Sequence, residues 1–108
     1  MENPDNMKEF VPELLKLTSV SPGFDLILAK DLGSSVEISY RNWVNDNQAK
    51  IMDVKINQIL ETWKLHNGHE GTMENFRRIL SQTRRQEYNG LLNLMSGNFR
   101  NSSCVEFW

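Results

Sequence analysis

Residues 56–63 read Ile56-Asn57-Gln58-Ile59-Leu60-Glu61-Thr62-Trp63, with large apolar side chains at positions 56, 59, 60 and 63. On a helix, i, i+3, i+4 and i+7 fall on one face; on a strand, with its period of two, they scatter over both. The stretch is therefore read as an amphipathic helix with one buried side. The same spacing recurs at Met7, Phe10, Val11 and Leu14, and again at Tyr88, Leu91, Leu92 and Met95. Val36, Tyr40, Trp43 and Val44 follow i, i+4, i+7, i+8, while Met73, Phe76 and Leu80 follow i, i+3, i+7. With the segment from Phe24 to Leu32, these stripes predict an all-α chain of about six helices, and no run of period two competes with them.

The residues between the stripes agree. Ser21-Pro22-Gly23 separates the leading segment from Phe24, and Gly33-Ser34-Ser35 ends that helix and offers a serine cap to the next. Asn45-Asp46-Asn47 is read as a turn of residues that tolerate the left-handed region, and His66-Asn67-Gly68-His69-Glu70-Gly71 as a loop. Thr72 is the expected N-cap of the following helix, with Glu74 in its first turn facing the positive helix end. Pro12 either starts a short helix or kinks a longer one, so the first helix is expected to be broken. Loops of roughly 3 to 6 residues favour an antiparallel bundle. The expected layout is a flank over 1–6, a bundle over 7–95, and an unstructured tail over 96–108, whose Phe107 and Trp108 are candidates to dock on the bundle.

A chain of 108 residues, 39% hydrophobic and 24% charged, suits one compact domain with a core that needs no staple. Its 12 Lys and Arg against 14 Asp and Glu give a net charge of -2, which argues against a basic footprint over the whole surface. The single cysteine, Cys104, excludes an intramolecular disulfide and a thiolate-rich zinc site, and points to a reducing, cytoplasmic setting. No stretch reaches 18 apolar residues and the first residues lack a signal-peptide pattern, so a soluble domain without membrane contact is expected.

Catalytic chemistry finds little material. The two histidines, His66 and His69, lie in a polar segment, far in sequence from Cys104, and with Glu70 they read as solvated residues rather than metal ligands. No glycine-rich phosphate motif is present, and Asn101-Ser102-Ser103 is too short a pattern to carry a glycosylation argument. No enzyme activity, small-molecule substrate, cofactor or metal is expected. The conspicuous charges are Arg77, Arg78, Arg84 and Arg85, which flank the turn between the last two helices and set four guanidinium groups at one end of the bundle. Asp25, Asp31, Glu37, Asp46, Asp53 and Glu61 lie on other segments. Opposite charge on separate faces permits head-to-tail contacts between copies or relatives. Trp63 reads as core; Trp43 reads as core or as a partly exposed anchor.

Several of these residues together resemble the death domains, six-helix adaptor modules of the death-fold superfamily. Leu28-Ala29-x-x-Leu32-Gly33 is similar to the end of that family's first helix, followed by Glu37-Ile38 in the second. Leu60-x-x-Trp63 resembles the fourth-helix signature, with Gly68 and Thr72 at the next loop and helix start, and Phe76 and Leu80 in the fifth helix. Arg85-x-Glu87-Tyr88-x-x-Leu91-Leu92 resembles the start of the sixth; its first part is also similar to the Arg-x-Asp-Leu motif of death effector domains. The chain departs from the pattern at Phe24, where the family carries tryptophan, and over residues 39–53, where the match is poor.

The resemblance implies a Greek-key-like antiparallel bundle, and a non-enzymatic module that assembles with other death-domain proteins, or with itself, in apoptotic or innate-immune signalling. The interface expected on that basis pairs Arg77, Arg78, Arg84 and Arg85 with an acidic surface such as that of Asp46 and Asp53. The alternative for the same arginines is a small helical nucleic-acid-binding domain.

Overall fold

The computed structural model describes residues 7–95; the expected N-terminal flank, the tail with Phe107 and Trp108, and Cys104 lie outside them. The described residues are helical, with no strand among them. A 3-10 turn, Met7–Phe10, leads into α1, Val11–Val20, and Pro12 sits in the first turn of α1, where its missing N–H leaves no bond unmade. Proline thus starts a helix here. The turn through Gly23, at φ 86°, then separates α1 from α2, Phe24–Leu32.

The link to α3, Ser34–Asn45, is shorter than the expected loops. A single residue, Gly33, makes it at φ 138° and ψ 151°, a conformation that L side chains rarely adopt. Gly33 takes the N-cap position, so Ser34 and Ser35 fall inside the first turn, exposed, and no side chain caps α3. At the other end, Asn47 uses its side chain rather than a left-handed backbone: its Nδ2 donates to the Trp43 carbonyl at 2.7 Å. Asp46 there has φ -94° and ψ 0°.

Helix α4, Met52–Asn67, runs one turn past the Ile56–Trp63 stripe and takes in His66 and Asn67, which the sequence places in a loop. Asn67 Nδ2 closes this last turn on the Trp63 carbonyl at 2.8 Å. A 3-10 turn, Gly68–Glu70, connects to α5, Met73–Thr83. Thr72 caps α5 as its sequence position predicts, its hydroxyl accepting from the Asn75 N–H at 3.2 Å. Arg84 ends α5 in the left-handed region, at φ 58°, and a 3-10 turn, Gln86–Tyr88, leads into α6, described over 89–95.

Every stripe turns inward. Phe10, Val11 and Leu14, Ile56, Ile59, Leu60 and Trp63, Met73, Phe76 and Leu80, and Tyr88, Leu91 and Met95 belong to one buried cluster. Helix α2 contributes Phe24, Leu28, Ala29 and Leu32 to it and packs on α3, α4 and α5. The rings interlock: Phe24 meets Tyr88 edge to face at 5.5 Å between centroids, and Trp63 meets Phe76 at a tilt, 5.6 Å apart. Trp43 is half-buried at the core margin, stacked on Tyr40 at 6.0 Å. The short turn and the cleft shared by Gly33–Val36 with His66 and Asn67 place the start of α3 beside the end of α4, an antiparallel pair.

Capping gives a direct check. Thr72→Ala removes the only side-chain N-cap seen on the described helices and is expected to cost about 1 kcal/mol in urea or thermal unfolding. Ser34→Ala, at a position that caps nothing, is expected to stay within about 0.5 kcal/mol of wild type.

Candidate interaction surface

Two carboxylates of α2 organise the polar side of the structure. Asp25 lies in the first turn, where the positive end of the helix favours its charge, and is buried; the Tyr40 hydroxyl donates to its Oδ2 at 2.6 Å. Asp31 lies in the last turn, where the helix dipole opposes a negative charge, and a cation answers it. Arg85 donates twice, from Nε to Oδ2 at 2.6 Å and from Nη2 to Oδ1 at 3.1 Å. The Tyr88 hydroxyl adds a third bond, to Oδ2 at 2.8 Å. The turn after α5 is thereby tied to the end of α2.

Both tyrosines stay neutral far above the ordinary phenol range. Burial is the main cause for each, reinforced by the hydrogen bond to Asp25 or Asp31 and by the nearby negative charge, which ionisation would double. The hydrogen bond to Asp31 likewise pushes the Arg85 guanidinium upward.

The four arginines predicted as one surface are therefore placed differently from one another. Arg77 is half-buried on α5. Arg78 is exposed one turn after Asn75, to whose Oδ1 it donates. Arg84 is exposed at the left-handed residue that closes α5. Arg85 is held by Asp31, with its side chain 36% exposed. Asp46 and Asp53 both stand exposed at the α3–α4 turn; Asp53, in the first turn of α4, accepts from Asn57 Nδ2 at 2.7 Å. The remaining acids divide: Asp25 and Asp31 serve the interior, and Glu37 pairs with Arg41 one turn on at 3.1 Å.

His66 and His69 are exposed at the end of α4 and in the following 3-10 turn, and no group of three or more His, Cys, Asp or Glu side chains that could hold a metal occurs among the described residues. None of the described helices is long and apolar enough to cross a membrane. What the arrangement offers is two outward cations, Arg78 midway along α5 and Arg84 at its end, and two outward carboxylates at the α3–α4 turn, a set suited to charged contact with another macromolecule. Sequence reasoning missed Tyr40 and Tyr88 as polar partners, since each follows a core stripe and its acceptor is distant along the chain. No family model, curated protein or solved structure matches this chain.

The two phenols supply a pH test, being the only tyrosines in the chain. Because folding raises their pKa, the stability they lend is complete below the unfolded value of about 10 and is lost as pH rises beyond it. Tyrosinate absorbance followed against pH is expected to stay flat through about pH 10 and then to rise together with loss of helical circular dichroism. A gradual rise centred near the ordinary phenol pKa, in a chain that remains folded, would contradict this burial.

Proposed function

We propose that this chain is a non-enzymatic protein–protein interaction module of the death-domain type, with that family's Greek-key-like helix arrangement, assembling with like modules in cytoplasmic apoptotic or innate-immune signalling. The observation that carries the reading is where the resembling residues lie. Leu28, Ala29, Leu32, Leu60, Trp63, Phe76, Leu80, Tyr88 and Leu91 are all buried in one core. Gly33 and Gly68 take positive φ at turns, and Thr72 caps α5. Most of the likeness thus rests on residues that shape the interior and its turns, where a shared architecture leaves its mark; Ile38, 60% exposed, is an exception.

On this reading the contact is heterologous. Arg78 and Arg84, with Arg77 at their margin, meet Asp46 and Asp53 of a neighbouring module, and repetition builds open-ended assemblies. Exposed ion pairs contribute about 0–1 kcal/mol each and are screened by salt, so assembly depends on multivalency. Arg85 enters as the residue that fixes the turn from which Arg84 projects, not as a contact.

Light scattering over a concentration series is expected to show growth beyond a dimer at low salt that disappears at high salt. Arg78→Glu combined with Arg84→Gly is expected to abolish that growth without loss of melting temperature, because glycine suits the left-handed backbone at position 84. Mixing that variant with wild type blocks growth at one end only. Pairing it instead with Asp46→Lys restores an opposite-charge contact, the new carboxylate at position 78 facing the new ammonium at position 46. Arg85→Glu is the contrast: it sets like charges against Asp31 and is expected to cost about 1–3 kcal/mol of stability. Growth that ignores both salt and the Arg78/Arg84 changes would overturn the reading.

A further inference from the structure

Helix α4 buries Ile56, Ile59, Leu60 and Trp63 on one side. On the other, Val54, Gln58, Glu61 and Leu65 follow one another at intervals of four, three and four, the spacing of a seam between two paired helices. Ile51, directly before the helix, extends the row. Its apolar members are open: Ile51 is 68% exposed, Val54 39% and Leu65 80%. Scattered exposed apolar residues are ordinary on protein surfaces, but two on one seam of α4 and a third directly before it form a face.

We propose that this outward face of α4 pairs with the same face of a second copy of the chain, antiparallel, across a two-fold axis between the levels of Ile59 and Leu60. The row is complementary to itself in that direction. Val54 of each copy meets Leu65 of the other, and Gln58 lies opposite Glu61. Lys55, one residue after Val54, borders the place that Glu61 of the other copy enters, so a cation–carboxylate pair forms twice. The helix ends match as well: Asp53 in the first turn of α4 comes alongside Lys64 and His66 in the last turn of the other copy, and the two helix dipoles oppose. A parallel pairing would set Glu61 against Glu61 and Asp53 against Asp53, and loses all of these contacts.

The size of the face sets the strength. One helix side per copy buries less than the roughly 1,200–2,000 Å² of a stable complex, so the dimer is weak, with a dissociation constant above about 1 μM. Being isologous, the contact closes at two. It is separate from the arginine-to-aspartate contact proposed above, which is heterologous and open-ended, and either can hold without the other.

The test uses the full chain carrying Arg78→Glu and Arg84→Gly, which silences the other contact, in sedimentation equilibrium from about 1 μM to 1 mM. The expected mass rises to that of two chains and no further. Leu65→Glu, at a residue too exposed to support the fold, is expected to weaken association by tenfold or more with an unchanged melting curve. Lys55→Glu alone and Glu61→Lys alone each bring like charges together twice and are expected to lower association by about tenfold. An equimolar mixture of these two variants restores both opposite-charge pairs, and a mixed dimer at least as tight as the unaltered one is the expected result. A monomer across the whole range, a dimer indifferent to Leu65→Glu, or a mixture no tighter than its components would overturn the proposal. Growth that ignores both salt and the Arg78/Arg84 changes, with this dimer intact, would count against the charged assembly alone.

Discussion

The structure depends on a carboxylate in an unfavourable place. Asp31 stands in the last turn of α2, mostly buried, where the helix carbonyls oppose its charge. A bare carboxylate there would cost several kcal/mol. Two donating side chains from one short segment, Arg85 and Tyr88, fill its acceptor positions. That segment is the turn between α5 and α6, so these bonds add a directional tie to the apolar contacts that seat the last helix. Tyr88 links the two kinds of force: its hydroxyl bonds Asp31 while its ring lies edge-on to Phe24 of the same helix.

Helix α2 repeats the device at its other end, where Asp25 receives Tyr40 from α3. The nine-residue helix is thereby clamped between α3 and the α5–α6 turn by two tyrosine–carboxylate bonds, each largely shielded from water. Short helices are marginal alone, so tertiary contacts of this sort decide whether α2 forms at all. The one-residue link at Gly33 makes the clamp possible, since a longer loop would leave the α2–α3 angle unset. Any other residue at φ 138° would strain the backbone even though no neighbour obstructs a Cβ there.

Local periodicity made the helices legible, and their order, the core stripes and the Thr72 cap could all be read from spacing. Three things could not. The end of α4 and the start of α3 were misplaced because polar residues such as His66 and Ser34 look like loop when no apolar neighbour marks the helix face. The direction in which Asn47 and Asn67 close their helices depends on side-chain bonds back to a carbonyl one turn away, which composition does not reveal. Asp31, Arg85 and Tyr88 meet across 54 and 57 residues, and nothing in a single sequence links positions so far apart. The four arginines look equivalent for the same reason: a charge run has no local sign that one member is held in an ion pair with a distant carboxylate.

On the proposed reading, the Arg85–Asp31 pair bears on how the surface works. An arginine on a mobile turn would lose rotamer and backbone freedom on meeting a partner, and the loss would offset much of the small gain from an exposed ion pair. Here the adjacent residue, Arg85, is fastened by two bonds to one carboxylate, with Arg84 next to it in a single left-handed conformation. The backbone cost of presenting Arg84 is met when the chain folds, before any partner arrives. On the proposed reading, a half-buried ion pair in this way pre-orders an exposed contact a residue away, beyond what it adds to the fold.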